Sequence, residues 1–106
     1  MSQTYSLVNP YNNELLGEYK YSTWAQIEEK LALLKKGQKT QRNTAAYERA
    51  DTLMLLASLL KKNAEKMANL ITLETGKTIS DSRVEMVRAV NATIASAEEA
   101  RQISGE

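Results

Sequence analysis

Cysteine, histidine and phenylalanine are all absent from this 106-residue chain, and proline and tryptophan occur once each. Without cysteine there is no disulfide framework, no thiolate nucleophile and no thiolate metal ligand. Without histidine the commonest general base and metal ligand is missing too. Glycine occurs four times, at positions 17, 37, 76 and 105, and no two lie close enough to build a GxGxxG or other phosphate-cradling loop. Fourteen basic residues against thirteen acidic ones leave a net charge of +1, which excludes neither sign of partner but argues for neither nucleic acid nor an anionic membrane. No apolar run approaches the ~20 residues of a membrane span. The start MSQTYSLVNP lacks the basic-then-apolar order of a signal peptide. A cytoplasmic protein is expected, small enough to bury only about 60–70% of its unfolded surface.

What is present is helical patterning. Residues 1–21 are expected to form a short β-hairpin: Tyr5, Leu7 and Val8 in one strand, turn formers from Pro10 to Asn13, then Leu15 to Tyr21 with Gly17 as a bulge. Such a hairpin is marginal in water and needs a surface to lie on. Thr23 with Gln26 fits a capping box, opening a helix whose stripe is Trp24, Ile27, Leu31 and Leu34, ending near 37–42. Asn43 or Thr44 is expected to cap a second helix over about 45–63. Leu53 to Leu60 are apolar nearly all round, so this helix wants burial on more than one side. After Lys61-Lys62-Asn63 comes a short helix over 64–75, either separate or continuous with a bend. The last helix, from about Ile79 to Ile103, has Val84, Val87, Val90, Ile94 and Ala97 as its expected buried stripe and ends at Ser104-Gly105.

The stretch Leu70–Thr78, LITLETGKT, joins the last two helices. Gly76 can take the left-handed conformation that closes a helix, Lys77 brings charge to its negative end, and Thr78 or Ser80 can cap the next helix. Taken alone this is a helix–turn–helix junction. Glu74 and Lys77, three apart, could pair across the helix end for about 0.2–0.5 kcal/mol. Arg83, Arg88 and Arg101 could pair with Glu85, Glu98 or Glu99 on solvated faces.

Leu70-Ile71-Thr72-Leu73-Glu74-Thr75-Gly76-Lys77 also resembles a segment near the N-terminus of the aldehyde dehydrogenases, most closely their succinate-semialdehyde and lactaldehyde branches. Val8-Asn9-Pro10 with Glu14 and Gly17 resembles the family's opening hairpin, and Tyr47-Glu48-Arg49-Ala50 the start of one of its helices. Ala97-Glu98-Glu99-Ala100-Arg101 with Gly105-Glu106 resembles a later block. The blocks keep the family's order and spacing over nearly the whole chain. One departure stands out: Gly37-Gln38-Lys39-Thr40-Gln41-Arg42 replaces the aromatic pair many members place before the second helix.

The resemblance implies a mainly α fold, a hairpin (1–21) followed by four helical segments (22–106), as one incomplete domain at the front of an α/β aldehyde dehydrogenase. Its role there would be scaffolding around the nucleotide-binding domain and catalytic cleft. The whole enzyme would oxidise an aldehyde, such as succinate semialdehyde, to its acid with NAD or NADP. A cysteine would be the nucleophile, a glutamate the base, and an asparagine would help hold the oxyanion. None of those residues maps onto this chain, so no catalytic or cofactor-binding residue is assigned and no cofactor is expected to bind the chain alone. The partner implied is the remainder of the enzyme chain, with homo-oligomers when complete. Some members hold a monovalent cation through positions matching Glu85 and the main chain near Leu7. An independent helical interaction module is the competing expectation. The two differ in whether Leu53, Leu55, Leu56, Leu59 and Leu60 are buried within the chain's own residues; exposure of this set is expected.

Overall fold

The computed structural model describes residues 3–103. It divides into two units, Met1–Thr44 and Ala45–Glu106.

In the first unit, strands β1 (Thr4–Val8) and β2 (Leu15–Lys20) pair antiparallel. Tyr5 lies opposite Tyr19, and its ring packs 5.5 Å from that of Tyr19 and 4.9 Å from that of Tyr21. Such cross-strand aromatic pairs are the unit of sheet stabilisation. The bulge falls at Leu16 rather than Gly17: Leu7 pairs with Gly17 and Val8 with Leu15, leaving Leu16 between them. Gly17 serves a different need. A Cβ there would lie 3.0 Å from the Tyr19 hydroxyl, so the glycine leaves room for the phenol that folds across it. Asn9, 6% exposed, organises the turn. Its N–H donates to the Glu14 carbonyl, its carbonyl accepts from Asn13 N–H and its Oδ1 accepts from Tyr11 N–H. Asn13 takes the left-handed conformation at φ 60°, which asparagine tolerates.

Helix α1 (Trp24–Asn43) opens with the expected reciprocal cap: Gln26 N–H donates to Thr23 Oγ1 and Thr23 N–H to Gln26 Oε1. It does not stop at Gly37. The glycine sits in the helix interior, at about 1 kcal/mol relative to alanine, carried by the helix-forming Lys, Gln and Arg residues around it. The segment 37–42 is therefore helix, not loop. No residue of α1 is buried, and its apolar stripe stays open, with Trp24 71% and Leu34 68% exposed.

The second unit holds α2 (Ala46–Lys62), α3 (Ala64–Thr75) and α4 (Ile79–Gln102). α2 and α3 each pack on α4 and barely touch each other. The start of α2 is capped from inside: Glu48 reaches back to accept from Ala45 N–H, where Asn43 or Thr44 was the expected cap. Asn63 alone separates α2 from α3, accepting from Met67 N–H while its own N–H and Nδ2 both donate to the Leu59 carbonyl.

The core is built of small side chains. Ala50, Ala57, Ala68, Ala97 and Ala100 are buried, with Met86 and Ser82. Alanines at such spacing let helix axes approach closely. The face that α4 buries runs through Ser82, Met86, Ala97 and Ala100, with Ala89, Val90, Thr93 and Ile94 half-buried. Val84 and Val87, expected on that stripe, are 49% and 60% exposed. They lie two residues before and one after Met86, so a helix of 3.6 residues per turn carries both off the face that Met86 centres.

Candidate functional site

The junction LITLETGKT sits where α3 ends and α4 begins. α3 presents Ala68 at 0% exposure, flanked by half-buried Ala64, Ile71 and Thr72. Its end is closed as the glycine predicts: Gly76 is left-handed at φ 77°, and its N–H donates to the Thr72 carbonyl. Thr75 Oγ1 donates to the Ile71 carbonyl at 2.6 Å and accepts from Lys77 N–H. Thr78, not Ser80, caps α4, accepting from Asp81 N–H through its Oγ1. Asp81 then lies in the first turn, where the helix dipole favours an acid.

Two side-chain links join the helices of this elbow, and a third ties its turn to α4. The hydroxyls of Thr72 and Ser82 hydrogen-bond at 2.8 Å, and Ser82 is fully buried. Arg83 forks onto Glu65, its Nη2 2.6 Å from Oε1 and its Nε 3.0 Å from Oε2. The Arg83 hydrogen bonds hold the Glu65 carboxyl below its ordinary pKa and raise that of Arg83 in turn. Lys77 Nζ pairs with Glu85 Oε1. Further along, Arg101 Nη2 reaches Asp51 Oδ1 on α2 at 3.0 Å. Lys77 thus bonds Glu85 instead of Glu74, and Arg83 and Arg101 bond acids on neighbouring helices instead of Glu85, Glu98 or Glu99. Residues two apart on a helix do not face each other, which keeps Arg83 from Glu85 and Arg101 from Glu99. The partners across the helices depend on packing, and no sequence spacing points to them. Being exposed, these pairs are screened by solvent and add little to stability.

The residues expected to hold a cation fall one in each unit. Leu7 lies in β1, paired with Gly17, and Glu85 in α4, with its carboxylate engaged by Lys77. Among the described residues no group of three or more His, Cys, Asp and Glu side chains gathers where a metal ion could be held. The hydroxyls of Thr72, Thr75 and Thr78 are engaged with Ser82, the Ile71 carbonyl and the Asp81 N–H. What this arrangement does is fix two helices against each other.

The profile of the aldehyde dehydrogenase family matches residues 1–106. The chain belongs to the aldehyde dehydrogenase family. It is 67% identical over 106 residues to the sulfoacetaldehyde dehydrogenase of Neptuniibacter caesariensis, covering 100% of this chain and 23% of that protein. It is 34% identical over 98 residues to the lactaldehyde dehydrogenase of Methanococcus aeolicus, covering 92% of this chain and 21% of that one. Among solved structures, the NAD-dependent benzaldehyde dehydrogenase of Corynebacterium glutamicum superimposes with a TM-score of 0.93 at 27% identity, over 98% of this chain and 23% of that chain. Aldehyde dehydrogenase 21 of Physcomitrella patens, solved with the product succinate, gives 0.92 at 28% identity over 98% of this chain and 22% of that chain. The chain therefore spans less than a quarter of the length of these relatives. The expected architecture, hairpin then four helices, is that of an aldehyde dehydrogenase. Glu74-Thr75-Gly76-Lys77 forms a capped elbow between α3 and α4. The Gly105-Glu106 block and the expected helix end at Ser104-Gly105 lie outside the described residues.

Proposed function

We propose that this chain is the N-terminal segment of an NAD(P)-dependent aldehyde dehydrogenase acting on a small anionic aldehyde, with sulfoacetaldehyde favoured over succinate semialdehyde. The observation that carries the reading is the 67% identity to a sulfoacetaldehyde dehydrogenase along all 106 residues. Both aldehydes carry an acidic group at one end, so the two readings share a substrate class. Both units would belong to one domain of that enzyme, its partner being the rest of the polypeptide and, once complete, further copies.

When bound, the nicotinamide dinucleotide of such an enzyme accepts the hydride of the aldehyde. The residues of this chain do not fit it. A dinucleotide takes free N–H groups at a helix start behind a glycine turn; among the described residues the helix start that follows a glycine is that of α4, after Gly76, and Thr78 caps it, while α3, which has no side-chain cap, follows Asn63. Gly17 and Gly37 lie inside a strand and a helix. No chemical step is assigned to these residues; their part is to hold and pose helices. A monovalent cation at Glu85, with the Leu7 carbonyl as a further donor, belongs to the same proposal. It would have to compete with the Lys77 ammonium for the carboxylate, and hard cations want several oxygens.

Sequencing the gene past codon 106 in all three frames tests the reading. A continuation into a glycine-bearing cofactor loop and a cysteine-centred site supports it. A stop with no such coding sequence in any frame overturns it.

A further inference from the structure

α3 is held differently from the helices on either side of it. Two turning points bound it: Asn63, alone between α2 and α3 at φ −102° and ψ 10°, and the left-handed Gly76. Asn63 donates back to the Leu59 carbonyl and so closes α2, while the first turn of α3 has no side-chain cap. Beside this break lies an open groove of about 300 Å³, lined by residues that include Lys61, Ala64, Val87, Val90 and Ile94. At about 30 Å³ per molecule it has room for several waters, so packing does not hold the break on that side. Toward α4, α3 presents Glu65, Ala68 and Thr72 at three- and four-residue spacing. Ala68 is its one buried side chain, with Ala64 and Ile71 half-buried, and Glu65 and Thr72 carry the links to Arg83 and Ser82. Both links land at the very start of α4. α2 takes the rest of that helix: it buries Ala50 and Ala57, and its Asp51 meets Arg101 at the far end of α4, where Ala97 and Ala100 are buried. α2 barely touches α3. Taking α3 away therefore leaves the pairing of α2 with α4 whole.

We propose that α3 is a releasable strap, which leaves α4 and unwinds as one unit between Asn63 and Gly76 while α2 and α4 stay paired. Unwinding goes with release because a helix of 12 residues is marginal in water without a surface to lie on. One buried alanine, one hydroxyl pair and one exposed ion pair are what hold the strap shut. Release uncovers Ser82 and the start of α4, and puts the LITLETGKT junction into solvent. Few buried apolar contacts and bounding turns are the marks of a segment that opens below the free energy of global unfolding.

Native-state hydrogen exchange of the 106-residue chain, followed by mass spectrometry at rising sub-denaturing urea, reads this opening. Amides of Met67–Thr75 are expected to exchange about tenfold or more faster than those of Leu53–Leu60 and Met86–Ala97. Their rate should also rise less steeply with urea, because opening α3 exposes less surface than unfolding three helices. Two variants separate local from global opening. Ala57→Gly weakens the pairing of α2 with α4, which the strap-open state keeps. It should speed exchange about fivefold in α2 and α4, the factor a helix-interior glycine costs, and less than about twofold in α3. Thr72→Val removes a link that both openings break, so it should speed all three helices alike. Equal rates with equal urea slopes in the three helices of the unaltered chain overturn the strap, a result that needs no variant to fold. So does an Ala57→Gly acceleration of α3 as large as that of α2 and α4, or a Thr72→Val acceleration that spares α3.

Discussion

Met86→Ala should cost the helical unit a large part of its stability. Met86 is 3% exposed, and the other buried hydrophobic residues described in that unit are all alanines. Truncation removes three heavy atoms from this site. At about 0.8 kcal/mol per buried methylene the transfer loss is about 2 kcal/mol. A cavity adds to it, because neighbouring alanines have no side chain to swing into the gap, so a total of about 2–5 kcal/mol is expected. A unit of about sixty residues has only ~3–9 kcal/mol to lose. Val87→Ala, one residue on and 60% exposed, should stay within about 0.5 kcal/mol. Met86→Leu, which conserves volume, should cost less than about 1.5 kcal/mol. Urea titration followed by far-ultraviolet circular dichroism measures all three, with an unchanged slope marking an unchanged unfolded state. A Met86→Ala midpoint no lower than that of Val87→Ala would refute the assignment of the α4 core face.

Three further outcomes follow from the same geometry. Ser82→Ala should cost about 0.5–1.5 kcal/mol for the lost Thr72 hydrogen bond, and in a cycle with Thr72→Val most of that loss should vanish in the second background. Glu65 has a lowered pKa in the fold, from its Arg83 hydrogen bonds. Its contribution is therefore present above the ordinary carboxylate range and lost as pH falls through the lowered value; Glu65→Gln should flatten the acid limb of a melting-temperature profile there and nowhere else. Trp24, the only tryptophan, is 71% exposed on α1, so its fluorescence in the isolated chain should be red-shifted and quenched by iodide nearly as readily as free indole; a blue-shifted, protected signal would mean that α1 is covered.

Much of the local structure was legible because local chemistry decides it. The Thr23–Gln26 box, the left-handed Gly76 and the Thr78 cap depend only on residues within one turn. Of the five α2 leucines expected to be exposed, Leu55, Leu56 and Leu59 are, while Leu53 and Leu60 are half-buried. What was not legible depended on neighbours. α1 was expected to end near 37–42 and runs through Gly37 to Asn43, because the surrounding helix formers outweigh the cost of the glycine. Val84 and Val87 are the more apolar choice for a core stripe, but burying Ser82 against Thr72 turns α4 the other way. Arg83 and Arg101 find acids across the packed helices, at separations no periodicity marks. For the site, the helix–turn–helix junction was legible; the links that join α3 to α4 needed the packing.

The most direct test of the central claim is an activity measurement on the product of the entire reading frame that contains these residues. That protein is supplied with NAD or NADP and, in turn, sulfoacetaldehyde, succinate semialdehyde and an uncharged aldehyde of similar size, and appearance of reduced nicotinamide is followed. The account predicts reduction with the anionic aldehydes, fastest with sulfoacetaldehyde. No reduction with any aldehyde, or an uncharged aldehyde turned over fastest, would contradict it.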